Sequence, residues 1–446
     1  MQERNVLILG AGKVAGPLVH YLLKNTHFGV IVADCVAAKA EALVGGHPAG
    51  RALSLNVENR NELEAMIRNA EIVVSMLPYV HHITVAELCL KNKKHLVTAS
   101  YVKPEMQAMD REAKEAGLIF LNEIGVDPGI DHMSAMKIIN QIHAQNGRVT
   151  GFKSLCGGIP APSSNDNPWG YKFSWSPKGV AMAGLNSAQF LKNGKIVDIP
   201  SEKLFETVFP IEIATVGKLE FYPNRDSLSY IKVYNIPEVQ DMFRGTIRYQ
   251  GWSRTMQAVK KLGYLKDAPI NTEGLTYRDF TALLIGETCE QLEEKTAKFL
   301  GLNTKDEIIG RFAWLGLFGD TKIPRRQISP MDLLVALMEE KMYYQEGEMD
   351  LIVMIHQFEA LYSDQRKEII TSKLISYGIP GGDTAMAITV GTPPAIAVKL
   401  ILQGKINARG VVIPTIPEIY EPVMAEMEKQ GIVFEEKIET QSLVTI

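Results

Sequence analysis

Short apolar runs alternate with segments of helical spacing from Asn5 to Ile124. Asn5–Leu9 (NVLIL), Gly29–Ala33 (GVIVA), Ala52–Val57, Glu71–Leu77 (EIVVSML), His95–Ser100 (HLVTAS) and Leu118–Ile124 (LIFLNEI) read as strands. Lys13–Lys24, Ala37–Leu43, Glu62–Asn69, Ile83–Lys91 and Pro104–Ala116 read as the helices between them. The last opens with proline, whose missing N–H costs nothing in a first turn. Strands that are unbroken Val/Ile/Leu runs must be buried on both faces. Alternating with helices, they predict a parallel sheet, doubly wound by right-handed crossovers.

The pattern changes after Gly125. Val149–Leu155 reads as a strand and Asn165–Ser176 (NDNPWGYKFSWS) as a loop, since it has no period. Ser253–Gly319 is mostly helical in spacing, including Leu292–Leu300. Asp350–Ala360 and Glu368–Tyr377 read as a hairpin around Ser363–Gln365. Ala385–Leu402 reads as an apolar helix that Pro393 and Pro394 should interrupt. A further helix is expected near Pro422–Gln430. The organisation predicted is an α/β protein in three parts. A doubly wound domain spans 1–127, a mixed α/β domain spans 128–252 and 331–391, and a helical insertion spans 253–330. Segment 392–446 should return to the first domain.

Composition narrows the class. A chain of 446 residues fits two or three domains at roughly 100–200 residues each. The net charge of −4 gives no reason to expect nucleic acid or an anionic membrane as partner. No apolar run approaches the ~20 residues that span a bilayer, and the start leaves no room for a signal peptide. Cys35, Cys89, Cys156 and Cys289 form no CxxC pair, and the histidines form no HxxxH or HxH pattern. No metal site and no disulfide framework are expected, which fits a cytoplasmic protein.

The chemistry starts at Gly10-Ala11-Gly12-Lys13-Val14-Ala15, a G-x-G-x-x-A turn between the first strand and the first helix. Gly10 permits the tight turn, Gly12 lets a pyrophosphate approach the backbone, and Ala15 allows close helix packing. The helix N-terminus offers N–H groups and positive potential to phosphates. Asp34 ends the second strand, where a carboxylate accepts bonds from an adenosine ribose. No basic residue lies between Asp34 and Lys39, so NAD is expected, with NADP as the alternative. Asp34 could also simply cap the following helix. In open α/β sheets the ligand lies outside the carboxyl ends of the strands. Ser75–Pro78, Thr98–Tyr101 and Glu123–Asp127 all fall there.

Thr98–Tyr101 (TASY), Asn122–His132 (NEIGVDPGIDH), Cys156–Ser176, Tyr222–Ser227 (YPNRDS) and Arg244–Gly251 (RGTIRYQG) together resemble saccharopine dehydrogenase of the glutamate-forming type. The resemblance runs from the first strand to the last helix. It implies a Rossmann domain, a substrate and dimerisation domain, a helical domain and a homodimer. It also implies a reaction in which saccharopine, NAD(P)⁺ and water give glutamate, 2-aminoadipate 6-semialdehyde and NAD(P)H. NADP-using fungal members carry a basic residue near the end of the second strand. Asp34 departs from them, as in the NAD-using animal and plant members. The implied cofactor set is Gly10, Gly12, Lys13, Val14, Asp34, Asn56, Val57, Met76, Leu77, Pro78, Thr98, Ala99, Ser100, Ile124, Gly125, Val126 and Ser174. The implied substrate set is Ser100, Tyr101, Asp127, Arg225, Arg244, Gly245 and Thr246.

Saccharopine carries three carboxylates, which call for arginine forks. Arg225, Arg244 and Arg248 are the candidates, each with a surface ion pair as the plainer reading. Only a neutral secondary amine can release hydride, so a proton acceptor is needed. Asp127, Cys156 and Tyr101 are the candidates. Asp127 could instead cap the helix that follows, and Cys156 could be a small core hydrophobe. His132 has suitable proton chemistry but reads better as a structural histidine. Asn167, Tyr171, Lys172 and Ser174 could form a loop that closes over the ligand. Two alternatives stay open: a relative acting on another secondary amine, such as carboxynorspermidine, and a non-catalytic dinucleotide-binding protein. The second should lack the substrate arginines.

Overall fold

The computed structural model describes residues 4–441. Residues 1–3 and 442–446, the outer ends of the expected segments 1–127 and 392–446, lie outside the described residues. The chain divides into two compact units. One holds Met1–Thr150, Lys232–Glu238 and Met354–Ile446; the other holds Gly151–Ile231 and Val239–Val353.

The first unit is built on a seven-stranded parallel sheet. Its first six strands are β1 (Asn5–Leu9), β2 (Gly29–Asp34), β3 (Gly50–Ser54), β4 (Ile72–Ser75), β5 (His95–Val97) and β6 (Ile119–Leu121). The order across the sheet is Gly410–Val412, β6, β5, β4, β1, β2, β3. Chain direction across the sheet reverses between β1 and β4, which makes the crevice beyond their carboxyl ends the expected ligand position. The β1 residues Val6, Leu7, Ile8 and Leu9 are fully buried, as the unbroken apolar run required. β3 to β6 end short of the apolar runs at their carboxyl ends, because the chain turns away there into loops.

Three expectations need correcting. Pro393 and Pro394 do not interrupt the helix, which runs unbroken from Ala385 to Leu402. Each proline removes a ladder donor, but packing compensates: Ala395, Ile396, Ala397 and Val398 are fully buried. Among the described residues this is the one helix long and apolar enough to cross a membrane, and it is 78% buried inside the structure. Gly391 lets it approach the helix Gly16–Asn25, since a Cβ there would lie 2.7 Å from the Val14 carbonyl oxygen. Gly391→Val should therefore cost about 1–3 kcal/mol by overpacking. A denaturant midpoint equal to wild type would show that the contact gives freely.

The second correction concerns Pro104–Ala116, which is two helices, Pro104–Ala108 and Asp110–Glu115. The Asp110 carboxylate accepts the Val411 N–H at 2.9 Å, tying the second helix to the added strand. Third, the final helix starts at Pro417, not near Pro422, with proline again in its first turn. The expected hairpin is present as Asp350–Leu361 and Lys367–Tyr377, turning through Gln365 at φ +66°. Strand Glu435–Gln441 pairs antiparallel with Lys367–Tyr377.

In the second unit, strands Phe209–Ile213, Gly217–Pro223 and Asp241–Tyr249 pair in sequence, antiparallel. Asp241–Tyr249 then lies parallel to the strand that begins at Arg148. The helices of the segment expected as a separate insertion share one core with this unit. Trp169, Tyr171, Phe173, Trp252, Phe280, Phe312 and Leu334 are all buried in it.

Candidate functional site

The glycine turn sits where β1 meets the reversal of strand order. Gly10 has φ +100°, and a Cβ on it would lie 2.9 Å from the Met76 carbonyl oxygen at the end of β4. Its N–H donates to the Ala33 carbonyl at 2.8 Å. Gly12 has open space around the position of a Cβ, and Ala15 is fully buried where the helix Gly16–Asn25 begins. This cradle fits a pyrophosphate: backbone exposed at Gly12, and a helix N-terminus behind it.

Asp34 lies directly beneath the turn. Its Oδ2 accepts the Ala11 N–H at 2.8 Å and its Oδ1 the Val36 N–H at 2.8 Å. Burial raises the carboxyl pKa, but these two donors, with Cys35 and Lys39, outweigh it and hold the group below its ordinary value. The Cys35 thiol also donates to Oδ1, at 3.6 Å, so Oδ2, with one accepted bond, keeps a lone pair for a ribose. Asp34 does not cap the helix Ala37–Val44, whose N-cap is Val36 without a side-chain bond. Asn56 and Val57 follow β3, and the Asn56 Oδ1 accepts the Glu58 N–H at 3.0 Å.

The ends of β4 and β5 are joined by a buried histidine that the sequence reading passed over. The His82 Nδ1 is 2.8 Å from the Ser75 Oγ, and its Nε2 is 2.8 Å from the Ser100 Oγ. Burial pushes its pKa down to about 4, with the His81 and Lys103 charges adding to the effect. The signal was present as Ser75 and Ser100 at two strand ends, but nothing in the sequence places His82 between them. Thr98 is buried nearby, while Met76, Leu77, Ala99 and Ser100 are partly exposed and Pro78 is exposed.

Beyond β6 the backbone closes on itself. Gly125 N–H donates to the Pro128 carbonyl, and Ile130 N–H to the Gly125 carbonyl. Ile124, Gly125 and Val126 are buried in this turn, and Asp127 is at its tip. Asp127 does not cap the helix Ile130–Ala144: Gly129 is the N-cap, and Asp131 accepts its N–H at 2.6 Å. Instead the Tyr101 hydroxyl donates to the Asp127 Oδ1 at 3.3 Å. Glu123, at φ +56°, accepts the Val102 N–H and meets the His132 Nε2, both at 2.8 Å. The His132 Nδ1 is 3.0 Å from the Tyr234 hydroxyl, so this fully buried ring is engaged on both sides.

In the second unit, Arg244, Thr246 and Arg248 project from one face of a single strand by two-residue alternation. In the parallel register Ser154 lies beside Arg244 and Cys156 beside Thr246. Gly245 points to the other face, where a Cβ would meet Phe243 at 2.8 Å and Leu155 at 2.9 Å. Arg244 is buried, with its guanidinium 3.9 Å over the Tyr230 ring. Arg225 is exposed just after the neighbouring strand, at φ +51°. A non-glycine residue in that region is strained, a condition that clusters at functional sites. Arg248 is buried: its Nη1 donates to the Ile247 carbonyl and its charge lies over the Tyr171 and Trp252 rings, while its Nε has no hydrogen-bond partner among the described residues.

Two family models cover this chain. The saccharopine dehydrogenase NADP binding domain matches residues 6–121, and the saccharopine dehydrogenase C-terminal domain matches residues 125–432. The chain belongs to the saccharopine dehydrogenase family. It is 39% identical to the saccharopine dehydrogenase [NADP(+), L-glutamate-forming] of Pyricularia oryzae, over 98% of this chain and 100% of that one. It is 35% identical to the mitochondrial alpha-aminoadipic semialdehyde synthase of Bos taurus, over 97% of this chain but 47% of the synthase. The solved structure of the apo enzyme (L-Glu forming) from Saccharomyces cerevisiae superposes with a TM-score of 0.88 at 39% identity, covering 98% of this chain and 100% of that one.

Family membership makes the chain a nicotinamide-dinucleotide-dependent oxidoreductase, and the Gly10 turn is where its own residues fit that cofactor. One expectation fails within the family segments. Asn165–Ser176 is anchored and does not form a free lid. Trp169, Tyr171 and Phe173 are buried in the core, and Lys172 bonds Asp166 at 2.8 Å and Glu348 at 2.5 Å. Alternating aromatic residues within an aperiodic stretch act here as core anchors. Ser174 is likewise buried. Among the described residues no cluster of potential metal ligands occurs.

Proposed function

We propose that this chain oxidises saccharopine with NAD⁺ and water to glutamate, 2-aminoadipate 6-semialdehyde, NADH and a proton. Arg225, strained and exposed beside the buried Arg244, is the observation that supports a polycarboxylate substrate most directly. Both arginines stand against a non-catalytic binding protein. When bound, the nicotinamide ring supplies the hydride acceptor. The chain's residues supply orientation and proton handling. The secondary ammonium must lose its proton before hydride leaves the adjacent carbon. Asp127 is the acceptor we favour, because it is partly exposed at the tip of a rigid turn and held by Tyr101. Cys156, beside Thr246, is the second candidate for a proton-carrying group.

The choice of NAD rests on Asp34. A 2′-phosphate would place like charge beside a carboxylate that two backbone donors keep ionised. The fungal relatives are named for NADP(+), which makes that cofactor the competing reading. The deciding experiment incubates purified protein with saccharopine and either NAD⁺ or NADP⁺ while following absorbance of the reduced cofactor. Turnover with NAD⁺ exceeding that with NADP⁺ is expected. Faster turnover with NADP⁺ overturns the role given to Asp34, and no turnover with either overturns the substrate.

A further inference from the structure

The Ser75–His82–Ser100 chain contains more information than its distances alone. Ser75 is buried, and among the described residues its hydroxyl meets only the His82 Nδ1, at 2.8 Å. A hydroxyl needs an acceptor for its proton, and a buried donor left without one is costly. If Nδ1 carried the ring proton, the Ser75 oxygen would accept it, and the buried Ser75 proton would be left without an acceptor. Ser75 must therefore donate to a bare Nδ1. A neutral imidazole has one N–H, so that proton is on Nε2. Nε2 then donates to the Ser100 Oγ at 2.8 Å. The Thr98 oxygen also lies 3.5 Å from Nε2, but that is longer than the usual N–H···O bond of about 2.7–3.2 Å, so the closer Ser100 is the main acceptor. With its oxygen already accepting from His82, Ser100 has its own O–H to give.

We propose that His82 is a positioning residue that makes Ser100 a hydrogen-bond donor to an oxygen acceptor of the bound ligand, with Ser75 setting the imidazole tautomer from the far side. The neutral ring is secured by its burial between β4 and β5. Ser100 is partly exposed at the carboxyl end of β5, where the sheet topology puts the ligand. The acceptor is an oxygen of the dinucleotide or a carboxylate oxygen of the substrate. The proposal rests on the functional reading above only in taking Ser100 to touch one of these ligands. It predicts that Ser75, which is fully enclosed, controls affinity without touching the ligand.

Two measurements test it. Long-range ¹⁵N–¹H spectra of histidine-labelled protein, with His82 assigned by its loss in His82→Gln, should show the proton on Nε2. A proton on Nδ1 in the wild type overturns the proposal without reference to any variant's folding. Ser75→Ala and Ser100→Ala are then compared by NADH fluorescence titration and by saccharopine KM. Each should weaken the same one of the two by about 3- to 10-fold, the worth of one hydrogen bond. A change in NADH affinity assigns the acceptor to the dinucleotide, and a change in KM assigns it to the substrate carboxylate. The double variant should be no weaker than Ser100→Ala alone. Additive losses, or no loss in either quantity, overturn the coupling. Absence of saccharopine turnover in the wild type would overturn the proposed substrate, yet leave the tautomer and NADH arms readable.

Discussion

Gly10→Val lowers NADH affinity by at least about 100-fold, to beyond the range of a fluorescence titration, by distorting the turn that must cradle the pyrophosphate. At φ +100° a β-branched residue is strained by about 1–3 kcal/mol. The added Cβ also meets the Met76 carbonyl at 2.9 Å, and that neighbour is backbone, which cannot swing aside as a side chain would. Relief requires the turn and the end of β4 to separate. The same displacement moves Ala11, whose N–H is bound by Asp34, so both phosphate and ribose contacts are lost together. Gly45→Val is the control. It has φ +59° but nothing within 4 Å of its Cβ, so it should lose stability and keep NADH affinity. Near-native NADH binding by Gly10→Val would show that the turn is not the cofactor site.

Arg225→Ala raises the saccharopine KM by about 10- to 100-fold while leaving NAD⁺ affinity nearly unchanged, because a charge-assisted hydrogen bond contributes about 1.5–3 kcal/mol. Arg225 is a cleaner test than Arg244. The Arg244 guanidinium is buried over Tyr230, so truncating it removes packing as well as charge. Arg225 is exposed, and its φ of +51° strains arginine and alanine alike, so the comparison isolates the side chain. Steady-state kinetics with each substrate varied in turn separates the two effects. Equal loss of saccharopine and NAD⁺ affinity would make the role of Arg225 structural.

The elements legible in the sequence were those governed by local rules. The strand–glycine–helix unit at Asn5–Asn25 follows from an apolar run, a residue free to take positive φ, and a helical period. Asp34 was placed by its distance from that turn, and the hairpin at 350–377 by two alternating runs around polar residues. These features depend on neighbours in the chain, so a sequence contains them. The family segments added the arginines and Asp127 as candidates, because runs of that length are specific even where no single residue is.

Only the tertiary structure decided which side chains meet. His82 becomes a link between Ser75 and Ser100 because β4 and β5 are adjacent in the sheet, a pairing that joins residues far apart in the chain. Asp127 is released from helix capping because the 125–130 backbone closes on itself and Gly129 becomes the N-cap, its N–H held by Asp131. Pro393 and Pro394 are accommodated because burial of most of its residues sustains a helix that local propensity would break. Segment 165–176 turns from an expected lid into an anchor because its aromatic residues find partners from Trp252 to Phe312. Local conformational preference and composition identified the cofactor-binding turn; long-range packing and the satisfaction of buried polar groups decided how the residues around it are held and which way their hydrogen bonds point.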